Sequence, residues 1–156
     1  MKTNTTFDWS LLLARIVLGI VIAAHGAQKL LGWFGGYGFD GTVNFFTEVI
    51  GLPFIFAALI ILAESIGMIA LVFGLMSRLI SISLVAIMLG AIITTHAQHG
   101  FFMNWFGVQA GEGIEFHLLV IALSAVIALN GAGAFSIDAT FGQHVTKIRH
   151  LRILFR

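Results

Sequence analysis

Charged residues are scarce in this sequence, and cysteine is missing altogether. Only 10% of the 156 residues are charged, whereas an ordinary soluble domain carries roughly a quarter. Hydrophobic residues make up 59% of the chain, and the mean hydropathy is +1.03. A soluble domain of this length could not hide so much apolar side chain, because about a third of the unfolded surface stays exposed after folding. The composition therefore predicts an integral membrane protein.

The absence of cysteine excludes disulfide bonds, thiolate metal ligands and cysteine redox chemistry. Any sulfur chemistry would need a partner subunit. The sequence also contains no glycine-rich dinucleotide fingerprint, haem-attachment motif or flavin fingerprint, so it predicts no haem, flavin or NAD site. Its one proline, Pro53, stands at the start of an apolar run, where the missing N–H does no harm to a helix. Nothing in the sequence indicates a nucleic-acid partner.

Long apolar runs are abundant. A helix needs about 20 apolar residues to cross the hydrocarbon core of a bilayer, and four runs are suitable. They lie at about residues 9–31, 53–75, 79–95 and 113–129. We therefore predict an all-α fold, an integral membrane four-helix bundle, as one domain over residues 1–140. Apolar side chains at helical spacing in residues 45–50 predict a short helix in the membrane interface between the first two spans.

The basic residues are unevenly distributed between the two ends of the predicted spans. Lysine and arginine favour the cytoplasmic side of a membrane, and all of them except Lys29 lie toward one end. We predict that both termini are cytoplasmic and that the chain is a multi-pass protein of a bacterial inner membrane. Residues 141–156 are predicted to form a basic amphipathic tail that binds anionic lipid headgroups or a cytoplasmic partner.

Apart from the polar groups near the outer ends of the predicted spans, two ionisable residues lie deeper inside them, where each charge is costly, by about 2.5–3.5 kcal/mol on insertion scales. Glu64 is at the middle of the second span, and Arg15 is in the inner half of the first. The long arginine side chain can reach toward the carboxylate, and hydrogen-bonded pairing is the usual way to tolerate such charges. We predict a buried Arg15–Glu64 pair. The alternative is that Arg15 extends to the cytoplasmic headgroups and Glu64 is protonated.

Polar and aromatic residues gather at the outer end of the predicted bundle. His25 and Lys29 are four residues apart and so share one face of the first span. The others are His96 at the end of the third span, Glu115 and His117 at the start of the fourth, and Trp33 and Trp105 in the flanking loops.

Three interpretations of this outer cluster are open. A quinone headgroup would find hydrogen-bond donors for its carbonyls, acid–base groups for its protons and aromatic walls. Histidines and carboxylates also suit a first-row metal ion, but no H-x-x-E-H or E-x-x-H pattern lies on one helix face, so no metal ligand is predicted. The third interpretation is that these side chains anchor the helix ends at the membrane interface.

Five segments of the sequence resemble the DoxX family of small bacterial membrane proteins. They are Arg15 with Gly19, HGAQKLLGWFGGYG, Glu64 in ILAESIGMIALVFGL, GEGIEFHLL and NGAGAFSID, which together cover roughly residues 10–140. The resemblance implies a four-helix membrane bundle. Its recurring polar positions correspond to Arg15, His25, Lys29, Glu64 and Glu115. It also implies an association with quinones, since relatives resemble subunits of a thiosulfate:quinone oxidoreductase or assemble with soluble redox enzymes.

From the residues and the resemblance together, we predict a redox-associated membrane protein that binds a quinone-like ligand or forms the membrane subunit of a quinone-linked oxidoreductase. The residues predicted to be catalytic are His25, Lys29, Glu115 and His117. Those predicted to line the ligand site are Trp33, His96 and Trp105. The alternatives are a non-catalytic scaffold for a soluble redox enzyme, a metal-binding membrane protein, and a small transporter in which Glu64 couples the flux. A redox partner subunit or a homo-oligomer is compatible with each.

Overall fold

A computed structural model describes residues 5–144 of the chain. Within this range the regular structure is entirely helical, as predicted. The helices are α1 (Thr5–Leu31), α2 (Gly38–Asn44), α3 (Phe54–Leu62), α4 (Met68–Phe73), α5 (Ser77–Ala91), α6 (Glu115–Asn130) and α7 (Ile137–His144). The predicted domain boundary at residue 140 falls within α7. The rest of the predicted basic tail, from residue 145 onward, lies outside the described residues.

Three π-helical turns interrupt the regular helices, and each shifts the side chains beyond it around the helix axis. They are Phe45–Val49 after α2, Ala63–Gly67 between α3 and α4, and Ile92–His96 after α5. The second π turn divides one continuous helix, Phe54–Phe73, into α3 and α4. The third lies in the helix that continues from α5 through a short 3₁₀ turn to His99.

Three helical segments of the described chain are long and apolar enough to cross a membrane. They are Thr5–Leu31, Phe54–Phe73 and Ser77–His99. The helix α6 is apolar but has only 16 residues. At 1.5 Å per residue it is about 24 Å long, which is shorter than a hydrocarbon core of about 30 Å. Long apolar helices compatible with a membrane bundle are thus confirmed, whereas the four crossings and the cytoplasmic termini stay predictions.

The short helix predicted between the first two long helices is present. α2 and the π turn that follows it run from Gly38 to Val49. Val43 of this helix joins an apolar cluster with Ala57 and Ile61 of α3. Its position at a membrane interface stays a prediction.

Glycine lets α1 pack closely against the second long helix. Gly19 lies against the backbone of Met68, and Gly26 lies against the backbone of Glu64 and Ser65, so that a Cβ at either glycine would crowd the opposite chain. Small residues at helix contacts are typical of membrane helices, because close packing is what holds such helices together in lipid. The other large contact joins α5 to α6, and side chains from α1, α4, α5 and α6 share the main apolar core.

The predicted Arg15–Glu64 pair does not form. Arg15 is fully buried, and its guanidinium donates to the backbone carbonyls of Leu71 at 3.5 Å, Val72 at 3.3 Å and Phe135 at 2.5 Å. Leu71 and Val72 stand in the last turn of α4, where carbonyls have no partner within the helix. Arg15 therefore ties α1 to the end of α4 and to the segment that follows α6.

Asp138 of α7 closes the same end of the bundle. Its carboxylate accepts the N–H groups of Met76 at 2.8 Å and Ser77 at 2.9 Å, at the start of α5. A carboxylate is favourable there because the first N–H groups of a helix are unpaired and carry partial positive charge. Gly74, with a φ of 72°, makes the tight turn between α4 and α5. The two long helices that meet at this turn are thus held together at one end.

Candidate ligand-binding site

Glu64 forms its ion pair with Lys29. The Lys29 Nζ donates to Glu64 Oε2, and the exposed fraction is 29% for the lysine side chain and 1% for the glutamate side chain. Glu64 lies in the π turn Ala63–Gly67, and Lys29 lies in the last turn of α1. Gly26, almost one turn before Lys29, brings the two helices close enough for the pair because it has no side chain to hold them apart. A charged lysine is thus held beside a carboxylate that is almost sealed from solvent.

A cavity of 620 Å³ lies beside this ion pair. It is bounded by the end of α1 and the loop after it, the Gly38–Val49 helix, α3 and the C-terminal half of α5. All three π turns contribute to its wall, through Phe45 and Phe46 in the first, Glu64 in the second and His96 in the third. Such turns occur frequently at functional sites, and here they converge on one cavity.

The wall of this cavity is mostly apolar, with a few polar groups. Aromatic and aliphatic side chains such as Phe46, Phe56 and Ile60 form much of it. The ionisable groups on the wall are Lys29, Glu64, His96 and the phenol of Tyr37. Gly90 leaves a gap on the α5 side, because a Cβ at this position would meet no atom within 4 Å. The cavity can therefore hold an apolar ligand that carries hydrogen-bonding groups.

His25 and Lys29 share a helix face but have different surroundings. His25 does not line the cavity, and its ring lies 5.8 Å from that of Phe116 at the start of α6. Four residues advance a helix by about 40° beyond a full turn, and α1 has α6 on one side and the cavity on the other. His25 and Lys29, which are both predicted to be catalytic, therefore do not share the cavity.

His96 lines the cavity and is held by two contacts behind it. Its Nδ1 donates to the carbonyl oxygen of Glu112 at 2.8 Å, and its ring centroid lies 4.1 Å from that of His117. Because a carbonyl oxygen only accepts, Nδ1 carries a proton, and Nε2 is the nitrogen left for a ligand. His117 is 6% exposed, does not line the cavity, and has no hydrogen-bond partner for Nδ1 within residues 5–144. It contacts His96 rather than the cavity.

Glu115 and Trp105 hold a loop and do not line the cavity. Glu115 Oε1 accepts the backbone N–H of Met103 at 2.9 Å and the indole N–H of Trp105 at 3.0 Å. The neighbouring Glu112 carboxylate accepts the N–H of Asn104 at 2.6 Å. These bonds fold the segment between α5 and α6 onto the start of α6. The Trp105 side chain stays 78% exposed.

The loop after α1 closes one end of the cavity, although Trp33 takes no part. Trp33 is exposed and outside the wall, whereas Gly35, Gly36 and Tyr37 line it. Gly36 lies directly against the backbone of Gln28, where a side chain would overlap it. This contact folds the loop back onto the last turns of α1.

Of the residues singled out in the sequence, the cavity brings together Lys29, Glu64 and His96. Sequence reasoning missed the phenylalanines of the Gly38–Val49 helix and Gly90. A lone glycine inside an apolar helical run was the available signal for Gly90, because such a residue weakens a helix unless packing or function requires it. Within the described chain, no three histidine, aspartate or glutamate side chains are grouped so as to hold a metal ion.

Comparison with known proteins places this arrangement in a family. The family model for DoxX matches residues 10–97, more than half of the chain, and that match includes Lys29, Glu64 and His96. The chain belongs to the DoxX family. It is also similar to a Bacillus subtilis (strain 168) protein named "Putative oxidoreductase CatD", with 32% identity over 135 residues, which are 86% of this chain and 89% of that relative. No solved structure matches the chain.

The DoxX match confirms the family predicted from the sequence and, with the apolar helices, identifies a membrane protein. The matched range ends just after His96, so it contains every ionisable residue of the cavity wall. The loop residues around Trp105 and the start of α6, where Glu115 and His117 lie, fall beyond it. The family match and the cavity therefore single out the same part of the chain.

Proposed function

We propose that this DoxX protein binds the headgroup of a quinone-like redox ligand in the cavity beside Lys29 and Glu64. The observation that carries this proposal is the position of the Lys29–Glu64 ion pair, with its buried carboxylate, in the wall of a 620 Å³ cavity that is otherwise mostly apolar. Small-molecule sites typically have this volume, apolar walls and a few polar groups that fix the orientation of the ligand. The word oxidoreductase in the name of the Bacillus subtilis relative supports a redox ligand.

Lys29 and His96 are the residues that would bind the carbonyl oxygens of a quinone. The Lys29 ammonium has three N–H donors, of which Glu64 occupies one. Nε2 of His96 donates when the ring is charged and accepts when the ring is neutral, so it suits a carbonyl in one state and a hydroxyl in the other. Glu64 would hold the Lys29 side chain in place at the cavity wall through the ion pair. A bound quinone would supply two-electron, two-proton chemistry.

The remaining predicted residues would support the site from outside. His117 would position His96 through ring packing, and Glu115 would hold the loop that carries Trp105. We propose that another redox protein exchanges electrons with the ligand. The uneven distribution of lysine and arginine supports four crossings of a bacterial inner membrane with both termini in the cytoplasm. A scaffold or a transporter would not need quinone binding, so a binding measurement separates these alternatives.

The binding assignment is tested by titrating the full-length protein in lipid nanodiscs with a decyl-substituted benzoquinone, using isothermal titration calorimetry. Lys29→Gln and His96→Gln are each expected to weaken binding about tenfold, because a hydrogen bond that involves a charged group contributes about 1.5–3 kcal/mol. Thermal unfolding of each variant checks that the bundle remains folded.

His25→Gln is the matched control, since it is a polar change one helical turn from Lys29 and outside the cavity. Its affinity is expected to stay within about twofold of the wild type, as for substitutions away from a site. The proposal is wrong if the wild type binds no quinone. It is also wrong if folded Lys29→Gln and His96→Gln proteins bind as tightly as the His25→Gln control.

A further inference from the structure

The cavity opens where residues of its wall are also exposed on the surface of the bundle. One opening lies at the loop end, where Gly35 and Tyr37 line the wall and are exposed. The second opening lies between α3 and α5, where Phe56, Ala86 and Gly90 line the wall and are exposed. These two openings lead to different surroundings and therefore predict different ligands.

The opening between α3 and α5 lies within two helices that are long and apolar enough to cross a membrane. At 1.5 Å per residue, Ile60 lies about 20 Å from the end of its helix at Phe73, and Gly90 and Ala86 lie about 20 Å and 14 Å from the start of α5 at Ser77. A hydrocarbon core is about 30 Å thick, so these residues are at the depth of the acyl chains. This opening faces lipid.

The gap between α3 and α5 follows from how the two long helices are held. α5 contacts α4 and the Ala63–Gly67 turn, near the tight turn that joins the helices. Beyond that point the α5 wall is formed by Ile87 and by the small residues Ala86, Gly90 and Ala91, and a Cβ at Gly90 would meet nothing within 4 Å. From Ala86 to His96 the wall extends about 15 Å along α5, which is longer than a single substituted quinone ring.

We infer that the ligand is a lipid-soluble quinone with a long apolar tail, which enters sideways from the bilayer between α3 and α5. Its head reaches Lys29 and Glu64 at the back of the cavity, and its tail leaves past Ala86 and Gly90 into the lipid. This inference rests on the proposed function and adds the class of quinone and its route. A small tailless quinone that enters past Tyr37 is the other outcome of the tests below.

The first test compares two benzoquinones with the same ring, one without a tail and one with a decyl chain, by calorimetry in nanodiscs. Ala86→Phe adds an aromatic ring to the wall of the opening. Its matched control is Ile82→Phe, one turn away on α5 at an exposed residue outside the cavity wall. Ala86→Phe is expected to weaken binding of the decyl quinone about tenfold, equivalent to about 1.4 kcal/mol. The tailless quinone should keep its affinity, and Ile82→Phe should change neither.

The second test locates the tail directly. A decyl quinone with a diazirine in its chain is photolysed in nanodiscs with the wild-type protein, with and without excess unlabelled decyl quinone. The label that the competitor removes is expected on peptides from residues 56–60 and 86–94, since the wall residues beside the opening lie in these ranges. Competed label on residues 33–37 or 97–114 would overturn the lateral route.

The results separate this inference from the function on which it rests. If the wild type binds neither quinone, the proposed function itself is wrong. If Lys29-dependent binding is present but Ala86→Phe weakens both quinones equally, or weakens neither, the function stands and the lateral route is wrong. Selective loss of the decyl quinone supports both.

Discussion

The two buried charges of the bundle, Arg15 and Glu64, are satisfied in different ways that suit different roles. The Arg15 guanidinium presents five donors in a rigid plane, and it binds three backbone carbonyls at the end where α4 and α5 meet. Lys29 presents a compact ammonium on a flexible stem, and it faces Glu64 on the wall of a cavity. We therefore expect Arg15 to determine stability and Lys29 to determine ligand binding.

Arg15→Lys is expected to lower the free energy of unfolding by about 2 kcal/mol, because one ammonium cannot replace the guanidinium at carbonyls of both α4 and the segment after α6. Arg78→Lys is the matched control, since within residues 5–144 Arg78 donates to one carbonyl, that of Ala128 at 2.9 Å. Its loss should be clearly smaller. Both are measured by unfolding of the purified protein in detergent.

The same Arg15→Lys protein should bind the decyl quinone as tightly as the wild type at a temperature where both are folded. A loss of affinity comparable to that of Lys29→Gln, without a loss of stability, would contradict the structural role assigned to Arg15. The partner of Arg15 could not be predicted from the sequence, because backbone carbonyls leave no signature in it. Glu64 could be placed at mid-span, but its approach to Lys29 depends on the contact at Gly26.

At the scale of the helices, glycines determine both a close contact and a gap. Gly26 lets α1 touch the backbone of the Ala63–Gly67 turn, and Gly90 leaves the cavity open on the α5 side. The positions of the long helices could be predicted within a few residues, because hydropathy reports them directly. The π turns could not, since one inserted residue changes which side chains face each other without changing the apolar character of the run.

Alanine at these two glycines is expected to have opposite effects. Gly26→Ala should lower the free energy of unfolding by about 1–3 kcal/mol, as is usual when a packed contact is overfilled, and should weaken quinone binding by separating Lys29 from Glu64. Gly90→Ala makes the same chemical change in open space and should stabilise the helix by about 0.5–1 kcal/mol. Unfolding of the two variants in detergent measures both values. Equal effects at the two positions would show that the close contact at Gly26 does not exist.

At the scale of the whole molecule, hydrogen bonds hold the helices together at one end of the bundle, called the tied end below, and the cavity lies at the other end. Arg15 and Asp138 fix the turn between α4 and α5, and the two long helices then diverge toward the loops that contain Trp33 and Trp105. The distribution of basic residues, which is a property of the whole chain, predicts that the tied end is cytoplasmic. This orientation would place the cavity in the outer half of the membrane.

The orientation and the number of crossings can be measured by cysteine labelling, because the chain has no native cysteine. Val108→Cys lies in the segment between α5 and α6, and Phe141→Cys lies on α7; the native side chains are 84% and 53% exposed. In spheroplasts, a membrane-impermeant maleimide should label the Val108→Cys protein without permeabilisation and the Phe141→Cys protein only after permeabilisation. Labelling of both from one side would show that α6 does not cross, and the reverse pattern would show that the orientation is wrong.

The central claim, that the cavity beside Lys29 and Glu64 binds a quinone, is tested most directly by filling the cavity without disturbing the fold. Gly90→Leu places a side chain where a Cβ meets nothing within 4 Å, and it replaces a poor helix former by a good one. Leu89→Phe enlarges the neighbouring side chain, which is exposed and outside the wall.

The measurement is the affinity for the decyl quinone by calorimetry in nanodiscs, alongside the unfolding temperature. The account predicts that Gly90→Leu unfolds at or above the wild-type temperature and binds about tenfold or more weakly, a loss of about 1.4 kcal/mol, while Leu89→Phe binds normally. A folded Gly90→Leu protein that binds the quinone as tightly as the wild type would contradict it.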